Sequence, residues 1–390
     1  MVSRKAAALV SVAAILASAC SGAASTPSAA VAVPTTAPTT AVASAPASVA
    51  PSVAAKPCTV GVSWNNYQEE RWAKWDEPAI KAALTKGGAK YISNDAKSSA
   101  DTQLSNVDAL INQGANVVII LAQDGTAIKP AVAKALNAKI PVIAYDRLIE
   151  DPGTFYITFD NVLVGKMQAT AVLAAKPAGN FVIIKGNPAD ANADFLRAGM
   201  VQAGIPDVGQ TDPAGKIVIV GEQYTPNWDP ATAQNEMAQI LTKQANKVDA
   251  VISENDGMAG GVVAALQSQG MAGTVPVSGQ DGDAAALNRI ALGTQTVDVW
   301  KDARLLGQAA GEAALALCAG TTLDKITTTS GPSAIFKFTN KTTKVETDLN
   351  SVLITPQAIT KDNLQVVLDN KWIDAATLCK GVTAGAVKGC

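Results

Sequence analysis

Polar side chains able to bind or transform a ligand recur at one kind of place in this chain. They stand just after short, β-branched apolar runs. Asn65 to Trp72 follows one such run, and Asp146-Arg147 another. Further along come Asp160-Asn161, Asp190 with Asn192, Asn227-Trp228, Glu254-Asn255-Asp256, Gln280-Asp281 and Lys301. A sugar hydroxyl donates one hydrogen bond and accepts up to two, so carboxylates take its proton while Arg, Lys and amide groups donate to its oxygen. Such charge-assisted bonds are the stronger kind. The C–H face of a pyranose is apolar and lies flat on an aromatic ring. A cleft of Asp, Asn, Arg, Lys and Trp therefore suits a neutral sugar, whereas an anion would favour donors without so many Asp. Taken singly, each residue has a plainer reading. An Asp or Asn after a strand is also a helix N-cap, Asp146-Arg147 reads as a surface ion pair, and Trp75 reads as packing. The weight rests on the joint pattern, in which nearly every strand end is polar.

Composition narrows the chemistry. The 390 residues contain no His, which excludes Ser-His-Asp and Cys-His catalysis, His-ligated zinc and His-based pH sensing. With 31 Lys+Arg against 33 Asp+Glu there is no basic surface for nucleic acid. Dinucleotide, Walker A and G-x-S-x-G motifs are absent from the body. Paired carboxylates beside a sugar raise the alternative of a glycosidase. Asp146, Asp190 and Asp281 have Arg147, Lys301 and Asn residues as expected neighbours, which favours ionised binders over a proton-donating acid. The expectation is a binding protein, with no enzyme activity, no cofactor and no metal.

The elements that must position these groups alternate. Strands are expected at Thr59–Trp64, Ala89–Ser93, Asn116–Ala122, Pro141–Asp146, Phe155–Asp160, Asn180–Gly186, Lys216–Tyr224, Asp249–Asn255, Val275–Asp281 and Gln295–Lys301. Helical patterns fall near 69–86, 101–113, 126–138, 161–175, 191–203, 230–243, 257–269 and 305–318. Alternating β and α units imply parallel, doubly wound sheets. About ten strands exceed one comfortable sheet. The fold class is therefore α/β, with two Rossmann-like lobes that break near 150–160. In such sheets ligands bind beyond the carboxyl ends of the strands, where the polar groups lie.

The N-terminus is not part of this fold. Arg4 and Lys5 precede a short apolar run, Ala6 to Ala17, which reads as an export signal over residues 1–20. Ala-Ser-Ala-Cys resembles a lipobox with Cys20 as the lipidated residue, although Ala17-Ser18-Ala19 also fits ordinary cleavage. Residues 21–57 are almost all Ala, Pro, Ser, Thr and Val, a tether that cannot bury enough apolar surface to fold. Four cysteines remain, and they allow three connectivities. The short Gly/Ala-rich tail favours Cys379–Cys390, which leaves Cys58–Cys318.

Several segments give this pattern a family likeness: E-R-W (Glu70–Trp72), INQGANVVII (Ile111–Ile120), AYDRLI (Ala144–Ile149), FDN (Phe159–Asn161), GNPADANADFLRAG (Gly186–Gly199), NDGMAGG (Asn255–Gly261), SGQD (Ser278–Asp281) and GTQT (Gly293–Thr296). On these the chain resembles the type 1 periplasmic binding proteins, the extracytoplasmic receptors of sugar ABC transporters. The likeness runs over roughly 58–370 and is strongest to the D-xylose receptors among them. It implies sugar contacts at Arg71, Trp72, Asp146, Arg147, Asp190, Asn192, Trp228, Asn255, Asp281 and Lys301. It implies an N-terminal lobe of 58–157 with 300–352 and a C-terminal lobe of 158–299 with 353–390, joined by a three-strand hinge. Helix 305–318 then returns to the first lobe and brings Cys318 towards Cys58. The implied partners are a monosaccharide, D-xylose before ribose, arabinose or glucose, and an ABC permease with its ATPase. A membrane is reached through the lipid anchor, and the protein is expected to be an exported monomer. A sugar sensor feeding a signalling protein is the alternative use of the same bound form. A transcription regulator of this fold would need a DNA-binding segment where the export signal stands. The tether and the four body cysteines depart from the family pattern, and the calcium loop of the glucose/galactose receptors is absent.

Overall fold

The computed structural model describes residues 57–390 apart from 211, 213, 341 and 342. The export signal, Cys20 and the tether up to residue 56 lie outside the described residues. The first lobe opens with β1 (Thr59–Trp64), α1 (Glu77–Lys86), β2 (Lys90–Asp95), α2 (Ala100–Asn112), β3 (Val117–Ile120), α3 (Lys129–Asn137), β4 (Val142–Tyr145) and β5 (Thr154–Phe159). The second contains α4 (Asn161–Ala175), β6 (Gly179–Lys185), α5 (Ala191–Gln202), β7 (Ile217–Tyr224), α6 (Pro230–Lys243), β8 (Ala250–Ser253), α7 (Asp256–Gln267), β9 (Ser278–Gln280), α8 (Ala284–Leu292) and β10 (Val297–Trp300). The chain then forms α9 (Ala303–Cys318), a short hairpin of β11 (Thr327–Thr328) and β12 (Gly331–Pro332), β13 (Ala334–Thr339) and β14 (Glu346–Ile354). It ends in β15 (Gln357–Ile359), α10 (Gln365–Asp369) and α11 (Ala375–Leu378).

Local chemistry sets these boundaries. Every residue of β3, Val-Val-Ile-Ile, is buried, as a parallel strand covered on both faces must be. Asp160 and Asp229 accept hydrogen bonds from the first-turn amides of α4 and α6, and Pro230 fits the first turn, where no N–H is needed. Gly293 ends α8 in the left-handed region, at φ 84°.

In the first sheet the order is β13-β14-β5-β4-β3-β1-β2. In the second, β7-β6-β8 continues through a Val251–Val277 bridge into β9-β10-β15. Both sheets thus repeat one winding, β2-β1-β3-β4-β5 and β7-β6-β8-β9-β10, with the crevice of each beyond its central strands. Apolar clusters cover both faces of each sheet.

Four expectations are corrected. The sheets are not purely parallel: β13 pairs antiparallel with β14, and β15 with β10, at the two edges. The elements α8, β11 to β15, α10 and α11 were not foreseen. The three crossings between lobes fall one or two residues later than expected, because pairing persists at Thr158–Leu353 and Phe159–Ile354 and β10 runs to Trp300. Finally, the helix near 69–86 is not one regular α-helix. Trp72–Asp76 is a π turn, closed by the Glu77 amide bonding to Trp72 O. Pro78 cannot offer an N–H to the preceding turn, and this widens it.

Cys58 is joined to Cys318 and Cys379 to Cys390, with Cα–Cα separations of 6.0 and 5.4 Å. Among the described residues no helix is long and apolar enough to cross a membrane.

Candidate ligand-binding site

The carboxyl ends of the two sheets face each other across a small buried cavity. All ten implied contact residues line it, joined by Glu69 and Gln280. From the first lobe come Glu69, Arg71 and Trp72, around the π turn after β1, and Asp146-Arg147 after β4. The second lobe contributes Asp190 and Asn192 after β6, Trp228 after β7, Asn255 after β8, and Gln280-Asp281 at the end of β9. Lys301 stands where the chain leaves β10.

Ion pairs fix the first side. Arg71 donates to both oxygens of Asp76, from Nε at 3.0 Å and Nη2 at 2.8 Å. Its Nη1 lies 3.2 Å from Asp146 Oδ2 and 3.2 Å from Asp281 Oδ1. The guanidinium also rests 4.4 Å from the centre of the Trp72 ring. Trp72 in turn donates from Nε1 to Glu69 at 2.7 Å. Arg147 donates to Glu69 at 3.2 Å, and its Nε lies 3.0 Å from Asp190 Oδ2.

Caps and backbone geometry fix the second side. Asp190 accepts from the Asn192 amide at 3.0 Å at the start of α5, and Asn255 from the Met258 amide at 2.9 Å at the start of α7. Each of these two residues therefore both caps a helix and lines the cavity. Trp228 Nε1 donates to Asp190 at 3.2 Å. A Cβ on Gly186 would come within 2.1 Å of the Trp228 ring, so only glycine lets the ring lie there. Asn161 donates to Asn192 at 2.9 Å and holds it from behind. Lys301 Nζ is 3.7 Å from Asp281. Three lining residues occupy the positive-φ region, Asp146 at 61°, Trp228 at 57° and Asp281 at 102°. Such strain in side-chain-bearing residues collects at ligand clamps.

Burial pushes the Glu69 and Asp190 carboxyls up, against the pull of Arg147, and raises Asp76 to about 6 despite its Arg71 pairing. Sequence reasoning missed Glu69 and Gln280 as site members, although both stood in the strand-end runs. Gln280 Oε1 is buried without a hydrogen-bond partner among the described residues. A larger groove between α1 and α9, lined by Pro78, Ala79, Ala82, Ala83 and Leu315 together with Lys74, Lys86, Arg304 and Glu312, shares no residue with this cavity, so size alone does not mark the site.

Residues 60–322 match the periplasmic binding protein domain family. The chain belongs to that family. It is 38% identical over 312 residues to the D-xylose-binding periplasmic protein of Escherichia coli, spanning 80% of this chain and 89% of that protein. It is 33% identical over 339 residues to a multiple sugar-binding periplasmic receptor of Rhizobium radiobacter, spanning 81% and 90%. A solved carbohydrate transporter solute binding protein from Chloroflexus aurantiacus, in complex with D-glucose, superposes with a TM-score of 0.70 at 28% identity, covering 83% of this chain and 98% of that one. The fold is the type 1 periplasmic-binding-protein fold. In this periplasmic binding protein the polar strand ends meet where two copies of one winding face each other.

Proposed function

We propose that the chain is the extracytoplasmic solute-binding protein of a sugar ABC transporter. It holds one monosaccharide, D-xylose first, between lobes that close about the three crossings, and delivers it to a membrane permease with its ATPase. No bond of the sugar is made or broken. The observation that carries this reading is the composition of the cavity wall. Arg71, Arg147, Lys301, Asn192 and Asn255 offer donors, Glu69, Asp146, Asp190 and Asp281 offer acceptors, and Trp72 and Trp228 offer rings. The unpartnered Gln280 oxygen suits a hydroxyl donor. The names of the E. coli and R. radiobacter relatives support the same class of ligand.

Closure is favoured by the contacts the sugar makes to both lobes at once. The protein is exported, anchored through a lipid on Cys20, and acts as a monomer. Calorimetry with D-xylose, D-ribose, L-arabinose, D-glucose and D-galactose tests the ligand. D-xylose is expected to bind tightest, and binding of none of the five would sink the assignment. Trp228→Ala and Asp281→Ala are each expected to weaken binding more than about tenfold in a folded protein. Labelled palmitate should enter the wild type and not Cys20→Ser.

A further inference from the structure

Three of the six Trp lie outside both the cavity and the β1 core, in one cluster that bridges the lobes. Trp75, in the π turn that carries Trp72, stacks on Trp372 with ring centres 4.5 Å apart and planes at 22°. Trp300 meets Trp372 edge-on at 5.5 Å. Arg304 of α9 lies 5.5 Å from the Trp75 ring and 5.3 Å from that of Trp372, and donates to Asn370 O at 3.0 Å. Trp75 and Arg304 belong to the first lobe, while Trp300 and Trp372 pack in the second with β15, α8 and the tail.

The cluster touches the ligand site at one peptide. Trp372 Nε1 donates to Gly282 O at 2.6 Å, and Gly282 follows Asp281 directly. On its other side, Gly282 N donates to Asp256 at 3.1 Å and to Asp298 at 3.2 Å, and Asp283 N donates to Asp256 at 2.9 Å. Gly282 itself sits at φ 84°, and a Cβ there would meet Trp300 at 2.5 Å and Trp372 Nε1 at 2.9 Å. Asp281, at φ 102°, is thus kept in its unfavourable conformation because both ends of the next residue are held.

We propose that Trp372 is a positioning residue of the sugar site: its N–H fixes the Asp281–Gly282 turn, while Trp75 and Arg304 brace it from the opposite lobe. The proposal rests on reading the cavity as a sugar site. It makes the C-terminal tail part of the binding apparatus, since the tail's Trp372 bonds beside a residue that faces both Arg71 and Lys301. Bracing from the first lobe also means that closing on the sugar and ordering the Asp281 turn reinforce each other.

Trp372→Phe keeps a ring in the stack and removes only the N–H. In the ligand-free protein it should speed amide hydrogen exchange at Gly282 and Asp283 at least about tenfold, with exchange in β1 and β3 unchanged. It should also weaken D-xylose binding about tenfold in calorimetry. On an Asp281→Ala background the same change should cost less than about threefold more, because the residue it positions is gone. Trp75→Ala should speed D-xylose release in stopped-flow measurements, and Trp75→Phe should restore most of the loss. Exchange and affinity both within about twofold of wild type, or an equal loss on the Asp281→Ala background, would overturn the proposal. If the wild type bound none of the five sugars, the sugar reading would fail, and the exchange rates would still decide the positioning role.

Discussion

The first lobe brings the cavity its two guanidinium groups, whereas the second brings most of its helix caps and strained backbone. Arg71 is gripped by Asp76, which also accepts from Tyr145 OH at 2.5 Å, so its position is set before any ligand or opposite lobe is considered. Asp190, Asn255, Trp228 and Asp281 instead owe their positions to where helices start and where the chain takes positive φ. Each arginine is also paired in two directions. Arg71 meets Asp146 in its own lobe and Asp281 across the cleft, and Arg147 meets Glu69 and Asp190 in the same way. The difference teaches that the first side is a fixed template of charge. The second side is set by its own helix caps and backbone, and the Arg71–Asp281 and Arg147–Asp190 pairs tie the two together.

The sharpest way to break this comparison is to remove the template. Arg71→Ala leaves Asp76, Asp146 and Asp281 buried without their shared cation. Uncompensated buried charge costs several kcal/mol, so D-xylose affinity should fall by more than about a hundredfold and the melting temperature should drop with it. Asn192→Ala, on the second side, removes a neutral amide and should lose only about tenfold and melt near wild type. Calorimetry and thermal melting on both variants check this. Equal losses from the two would show that the sides are held alike.

Much of this was legible in the sequence, for physical reasons. The runs at Thr59–Trp64, Phe181–Ile184 and Ala250–Ser253 are apolar enough to be central strands, and a central parallel strand fixes where its polar end lies. Helices α4 and α6 were readable to the residue because Asp160 and Asp229 cap them. The edge hairpin of β13 and β14 escaped notice because its solvent-facing, alternating pattern is weaker than a buried run. The π turn was hidden because its cause, Pro78, looks the same as a proline starting an ordinary helix. Glu69 was overlooked because a glutamate near a helix start reads as solvated. Only the fold shows it between Trp72 and Arg147.

Protonation separates the two sides a second time. Asp76, whose burial Arg71 partly offsets, is raised only to about 6, whereas burial, reinforced by Asp281 and Asp283, drives Asp298 beneath the Asp281 turn well above the carboxylate range. A carboxyl whose folded value exceeds its unfolded one binds more protons in the folded state. Its contribution to stability is complete below the unfolded value near 4 and is lost as pH rises through the folded value. For Asp76 that window runs from about 4 to about 6, at a cost of the order of 3 kcal/mol. Glu69 and Asp190 are shifted in the same direction. The urea midpoint should therefore be higher at pH 5 than at pH 7, and the slope should be shallower in Asp76→Asn. A midpoint that climbs over this range would show that the buried carboxyls are not held above their unfolded values in the folded protein.

Salt should expose the smallest difference, and it bears on what closure adds. Arg71 is 1% and Arg147 4% exposed, and each already has an anionic partner within its own lobe. The field that one lobe projects across the cleft is therefore that of nearly neutralised pairs. The Debye length shrinks from about 14 Å at 0.05 M to about 4 Å at 0.5 M salt, yet it screens chiefly charges that face water. A neutral sugar adds no charge of its own. D-xylose affinity should therefore change less than about twofold over that range, with the small change confined to the association rate. A fall of tenfold or more would mean that the arginines are unpaired in the open form and that Arg71–Asp281 and Arg147–Asp190 form from free ions on closing. The template would then be assembled by closure rather than present before it.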